Sequence, residues 1–278
     1  MLENFIYENH LGERFVGLDN GVYLNYNDLR DYSWNYDTIN GKISRFYRPI
    51  TDKKLPLVVL GGTGDRAIAA KNRLLNLAES DIVAKIPGRI YVGDYYITGY
   101  ITKSVKSNYL INKRLTNIDL TFTSDDPVWY KEKEHYIGEP ALEDEEMLTA
   151  GGTDYNVGYD HDLSAVLSEN HIFVDTSDEA LCKIRIYGKA EYPNITIGGH
   201  SYAINGVVGD GETLLIDGLN KKIILTTATG NEVNWFYRRS RESDIFQPIK
   251  PGAVEVTRNG TFAFDLVVIE KRSEPRWT

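Results

Sequence analysis

Leu57-Val58-Val59-Leu60-Gly61-Gly62-Thr63-Gly64-Asp65-Arg66-Ala67 is the stretch on which the fold class turns. An apolar, β-branched run enters a glycine-rich turn. From Asp65 to Ser80, Ile68, Leu74, Leu75 and Ala78 then recur at three- and four-residue spacings, with Thr63 or Asp65 placed to cap the start, which predicts an amphipathic helix. Gly62, Gly64 and Ala67 also satisfy the spacing of a dinucleotide-binding turn, where glycines let backbone amides approach a pyrophosphate at a helix N-terminus. Such a unit needs a second parallel strand ending in an acidic residue. Asp81 instead precedes the next strand, and hairpin-like segments follow. The stretch therefore reads as a strand-to-helix bend in a mainly β protein with one α-helix.

The segments around it agree. Lys42 to Arg48 and Leu55 to Leu60 precede the helix; Arg89 to Tyr91, Tyr95 to Lys103 and Leu115 to Thr123 follow it, with Gly93-Asp94 and Ser107-Asn108 as turns. Beyond Leu181, short strands return at Lys183 to Tyr187, Asn194 to Ile197, Tyr202 to Val208, Glu212 to Ile216, Lys222 to Thr227, Val233 to Phe236, Ala253 to Arg258 and Thr261 to Ile269. Regular short strands between Gly-rich turns predict a β-sandwich. No repeat of fixed period is visible.

The 278 residues suffice for two domains of ordinary size. Charge marks where they part. Residues 1 to 130 hold 16 Lys+Arg against 15 Asp+Glu, and residues 131 to 278 hold 15 against 25. Between Lys133 and Lys183 there is no basic residue and there are 13 acidic ones, including Glu143 to Glu146, so the junction is expected near 130 to 140, dividing the chain as 1–135 and 136–278. A nucleic-acid grip needs a basic face, which neither half offers. The start Met1-Leu2-Glu3-Asn4 lacks signal-peptide charge, and no stretch reaches the ~20 apolar residues of a membrane span. The expectation is a protein made in a cytoplasm, with no membrane anchor.

Catalytic and metal signals are weak. The single Cys182 excludes an intrachain disulfide and a cysteine zinc cluster, and reads as a small strand residue. Asp154, Asp160, His161 and Asp162 lack the EF-hand alternation, and Glu143 to Glu146 are consecutive rather than opposed, so both read as solvated acidic segments. His10, His135, His161, His171 and His200 show no paired ligand spacing, and no serine sits in a nucleophile elbow. No catalytic residue, metal or cofactor is expected. Trp34, Trp129, Trp235 and Trp277 suit core or interface anchors, or sugar-stacking platforms.

Three groups of residues resemble siphophage distal tail proteins. The first is Ser33-Trp34-Asn35-Tyr36 with Gly41-Lys42-Ile43-Ser44-Arg45-Phe46-Tyr47-Arg48-Pro49. The second is Leu120-Thr121-Phe122-Thr123-Ser124-Asp125-Asp126-Pro127-Val128-Trp129-Tyr130. The third comprises Gly211 to Asp217, Ser243-Asp244-Ile245-Phe246, Ile249-Lys250-Pro251-Gly252 and Arg272-Ser273-Glu274-Pro275-Arg276-Trp277. The resemblance implies an N-terminal domain closing into a homohexameric ring, and a C-terminal galectin-like β-sandwich. It further implies a place in the virion at the phage tail tip. There the ring would be a baseplate hub, meeting the tail tube protein, the tail-associated lysin or tip protein, and a receptor-binding apparatus where one exists. Trp34, Tyr36, Phe46 and Arg48 are the candidates for the ring contact, because aromatic and Arg side chains dominate interface energetics; a core role for Trp34 and Phe46 is the alternative. Competing functions are a carbohydrate-binding β-sandwich that recognises a cell surface, and a nucleotide-dependent enzyme built on Gly62-Thr63-Gly64.

Overall fold

The computed structural model describes residues 4–60, 64–107, 115–138 and 171–277. Gly61 to Thr63, Asn108, the Glu143–Glu146 run and the Asp154–Asp162 group lie outside the described residues. The chain divides into two compact units, residues 1–131 with 271–278, and residues 132–270. The last eight residues thus return to the first unit.

In the first half the strands are β1 (Ile6–Glu8), β2 (Arg14–Val16), β3 (Val22–Leu24), β4 (Asn35–Ile39), β5 (Lys42–Tyr47) and β6 (Thr51–Leu60). Helix α1 (Gly64–Ala84) follows, then β7 (Gly88–Val92), β8 (Tyr95–Ser107), β9 (Leu115–Ser124) and β10 (Trp129–Ile137). Both neighbours of β6, namely β3 and β9, are antiparallel to it, as are both neighbours of β7, namely β1 and β8. A dinucleotide-binding unit requires a parallel βαβ pair, so the nucleotide reading of the Gly-rich turn loses its frame.

The long β8 uses Tyr95 to Gly99 against β7 and Tyr100 to Ser107 against β9, with a register shift between Ile101 and Lys103. A single pairing of Tyr96 with Tyr130 adds β10, so one strand serves three partners, and the shift bends it. Ala67, Ala70, Leu74, Leu77 and Ala78 of α1 join Leu55, Leu57, Val59, Ile90, Ile97, Ile118, Leu120 and Phe122 in one core. The expected helix is there but longer by a turn, and its buried stripe is rotated: Ile68 is exposed. Asp65 lies within the first turn, where its charge complements the helix dipole, rather than capping from outside.

The second unit is all β, carrying β11 (His171–Val174), β12 (Leu181–Tyr187), β13 (Ala190–Glu191), β14 (Asn194–Ile197), β15 (His200–Ala203), β16 (Val207–Val208), β17 (Thr213–Asp217), β18 (Lys222–Thr226), β19 (Glu232–Asn234), β20 (Gly252–Arg258) and β21 (Phe264–Arg272). Strands β19-β18-β17-β12-β21 form one antiparallel layer and β11-β20-β14-β15 another. Period-two alternation gives each layer one apolar face. Ile184, Ile186, Leu214, Ile216, Ile223 and Leu266 from the first layer share a single core with Ile195, Ile197, Tyr202, Val254 and Val256 from the second. This is the expected sandwich. Cys182 belongs to the same face as Ile184 and Ile186, and burial pushes its thiol up to about 12, with the Tyr202 contact opposing.

Candidate functional site

The four residues that the sequence singled out meet on one small element. Among the described residues, strands β4 and β5 pair only with each other, as a separate two-stranded sheet, and none of their residues is buried. Asn40 and Gly41 join them at φ 51° and 75°. A two-residue turn with positive φ at both positions matches the right-handed strand twist, and Asn-Gly is the pair that adopts it at least cost.

Tyr36 lies directly opposite Phe46, so their side chains share a face, and period two adds Trp34 and Arg48 at its base. The ring of Phe46 receives Trp34 at 6.4 Å between centroids and 80°, and Tyr36 at 6.5 Å and 65°. The Arg48 guanidinium lies 4.0 Å over the Trp34 ring. Trp34 is 43% exposed, Tyr36 58% and Phe46 57%. Neither Trp34 nor Phe46 is a core residue. Arg48 differs from its three companions, being half-buried, and its Nη2 donates to Ser273 Oγ at 2.7 Å. Burial lowers its pKa, while Asp126 and Tyr130 oppose the shift. It is a fastener that holds the Trp34 ring from beneath.

Ile43, 52% exposed and opposite Thr38, extends the apolar surface toward the turn, and the reading of the sequence did not include it; Ile39, 65% exposed and opposite Lys42, lies on the other face. The Asn40-Gly41 dipeptide, which places Ile43 two residues beyond a tight turn, was the available signal. An isolated two-stranded hairpin is marginal in water, and soluble monomers rarely leave so much apolar surface together.

The base is rigid by comparison. Lys53, 4% exposed, donates its Nζ to the carbonyls of Asp28 (3.0 Å) and Asp31, and burial lowers its pKa. Asp28 Oδ1 in turn accepts the Lys54 amide at 2.6 Å. Asp81, the acid that stood in the wrong place for a ribose contact, is wholly buried on α1 and accepts from the Tyr7 hydroxyl, the His10 amide (2.8 Å) and His10 Nδ1 (2.6 Å).

The other sequence candidates disperse. Trp129 is in the first core, Trp235 packs on the second, and Trp277 is 75% exposed. His200 Nε2 is 2.7 Å from the Asp244 carbonyl, and His171 is exposed. Among the described residues no three His, Cys, Asp or Glu converge to hold a metal ion, and no helix is long and apolar enough to cross a membrane.

No family model matches the chain, and no curated protein matches it. Solved structures do. SPP1 Dit (gp 19.1), described as a paradigm of hub adsorption apparatus in Gram-positive-infecting phages, aligns over 98% of this chain and 100% of its own, with TM-score 0.57 and 14% identity. A chain of the phage P2 baseplate in its activated conformation, determined with Ca, aligns over 99% and 100%, with TM-score 0.62 and 12% identity. The Sr form of that baseplate gives the same values. The chain therefore has a Dit-like fold, spanning both units.

Proposed function

We propose that this protein is a non-enzymatic structural hub of a phage tail tip, assembling with other copies of itself. In this reading residues 1–135 are the ring-forming domain, closing as a homohexamer, and residues 136–278 are the galectin-like sandwich. The ring continues the tail tube on one side and receives the tail-associated lysin or tip protein on the other, with receptor-binding or baseplate proteins at its periphery. What supports the reading is the aromatic face of the β4–β5 hairpin in a chain of Dit-like fold: Trp34, Tyr36 and Phe46 stand in water on an element that has no further sheet partner among the described residues. The near-neutral charge of the first 130 residues also favours packing copies together there, whereas like charge on the remainder opposes it.

Light scattering of the full-length chain after size exclusion tests the reading. A closed oligomer is expected, since cyclic symmetry is what a ring demands. Trp34→Ser with Phe46→Ser should dissociate it, because buried aromatic anchors each contribute about 2 kcal/mol or more at an interface. A monomeric wild-type chain, or an assembly indifferent to the double substitution, overturns it.

A further inference from the structure

We propose that the cleft between residues 26–32 and the C-terminal stretch 274–277 binds a neutral oligosaccharide. The inference stands apart from the ring reading, on different residues. The cleft is open to solvent and offers about 770 Å³, within the span of small-ligand sites, and all of its lining belongs to the first unit. Three aromatic side chains face it and remain in water: Tyr26 at 90% exposure, Tyr32 at 55% and Trp277 at 75%. Sugar rings offer C–H faces that pack on such rings, and hydroxyls that need acceptors. Carboxylates of Asp31 and Glu274 in the lining supply the acceptors.

The walls are held in place before any ligand arrives. The Arg30 guanidinium lies 4.2 Å over the Trp277 ring, and its Nη1 donates to the Pro275 carbonyl at 3.1 Å, tying the C-terminal stretch to the loop. Lys53 holds the Asp28 and Asp31 carbonyls from within. Asn27 is spent on the loop itself: its Nδ2 donates to the Asn25 carbonyl at 3.0 Å, and its Oδ1 accepts the Leu29 amide at 3.1 Å. The Trp277 face is thus preorganised and loses little entropy on binding.

Charge selects the class of sugar. Two carboxylates stand against one guanidinium that already sits on Trp277, so a uronate or a phosphate-bearing glycan meets net repulsion.

The test uses the full-length chain, with tryptophan fluorescence and saturation-transfer NMR. The probes are chitotriose, cellotriose and maltotriose, then trigalacturonate and choline, with oligomeric state recorded in the same samples. At least one neutral trisaccharide is expected to bind saturably, Trp277→Ala and Tyr26→Ala each to weaken it about tenfold or more, and Trp34→Ala to leave it unchanged. Since both substituted side chains are exposed, an unchanged melting temperature verifies the fold. The proposal is overturned if none of the three neutral sugars binds at about 10 mM, if binding survives Trp277→Ala, or if trigalacturonate or choline is preferred. Loss of the ring with retained sugar binding would sink only the hub reading.

Discussion

Asp81→Ala should cost the first unit about 3–5 kcal/mol of stability, the range for stripping a buried charge from its partners. Its carboxylate has no exposure and accepts from the Tyr7 hydroxyl, the His10 amide and His10 Nδ1. Tyr7 is itself fully buried, and burial first, then the hydrogen bond to Asp81, pushes its pKa far above that of a free phenol, so it stays a donor. Deleting the acceptor strands that hydroxyl at about 1–3 kcal/mol, and the His10 donors lose their charged partner as well. Tyr7→Phe removes one donor and leaves the carboxylate two, so about 1–1.5 kcal/mol is expected. Gly88→Ala attacks the same pair from outside, since its Cβ would sit 2.4 Å from Asp81 Oδ2 and 2.5 Å from the Tyr7 hydroxyl. Both are held, so displacement rather than accommodation follows, at about 2 kcal/mol or more. Calorimetry on the full-length chain should show the transition of one unit falling while the other stays. If Asp81→Ala costs under about 1 kcal/mol, or Gly88→Ala is neutral, the cluster is not the staple described.

Other outcomes follow from single sites. Lys53→Met should lose about 2–3 kcal/mol by orphaning the Asp28 and Asp31 carbonyls, read from urea midpoints. His135 has its pKa lowered by burial and then by Lys133. The folded state therefore binds fewer protons than the unfolded one, and stability should fall as pH drops from about 6.5 through the folded pKa, and be flat above. Replacing His135 with Leu should remove that slope in urea titrations at pH 5 and 8, and an unchanged slope would assign it elsewhere. Cys182, with its thiol near 12, should react with a disulfide reagent at pH 8 about a thousandfold more slowly in the folded chain than in urea. Burst labelling of native protein would contradict its burial.

The sequence and the structure part company where elements are short or composite. Strands β1, β2 and β3 have three residues each, too few for a period to register, and so escaped the reading. Strand β10 carries Lys131 to His135 in a run of charge that looked like a boundary, yet only Trp129 and Tyr130 need burial for it to hold its place. Asp81 read as the end of the helix, because a buried carboxylate deep in the last turn has no local signature; its partners, Tyr7 and His10, are 74 and 71 residues away. The hairpin face was legible in half. Trp34 and Tyr36, like Phe46 and Arg48, are two apart, so each pair had to share a face if extended, but the opposition of Tyr36 to Phe46 came from the turn at Asn40-Gly41. The cleft could not be read at all, because Arg30 and Pro275 are separated by 245 positions.

These features combine in the energetics of the first unit. Its core and its buried polar staples, Lys53 and Asp81, fix a frame whose order needs nothing further. The β4–β5 hairpin is the opposite case: no residue of it is buried, and it is tied to that frame at its root, where Arg48 bonds Ser273, faces Asp126 and Tyr130, and supports Trp34. Fixing a backbone costs about 1–2 kcal/mol per residue, and two edge-on aromatic contacts return about 0.5–1.5 kcal/mol each, so the hairpin draws little stability from within. In the proposed assembly, covering Trp34, Tyr36, Ile43 and Phe46 with another apolar surface would supply the missing term. Arg48 holds the Trp34 ring in place from beneath. A rigid frame presenting a strand pair that gains most of its stability on contact is suited to assembly that is weak until the partner is in register, and firm afterwards.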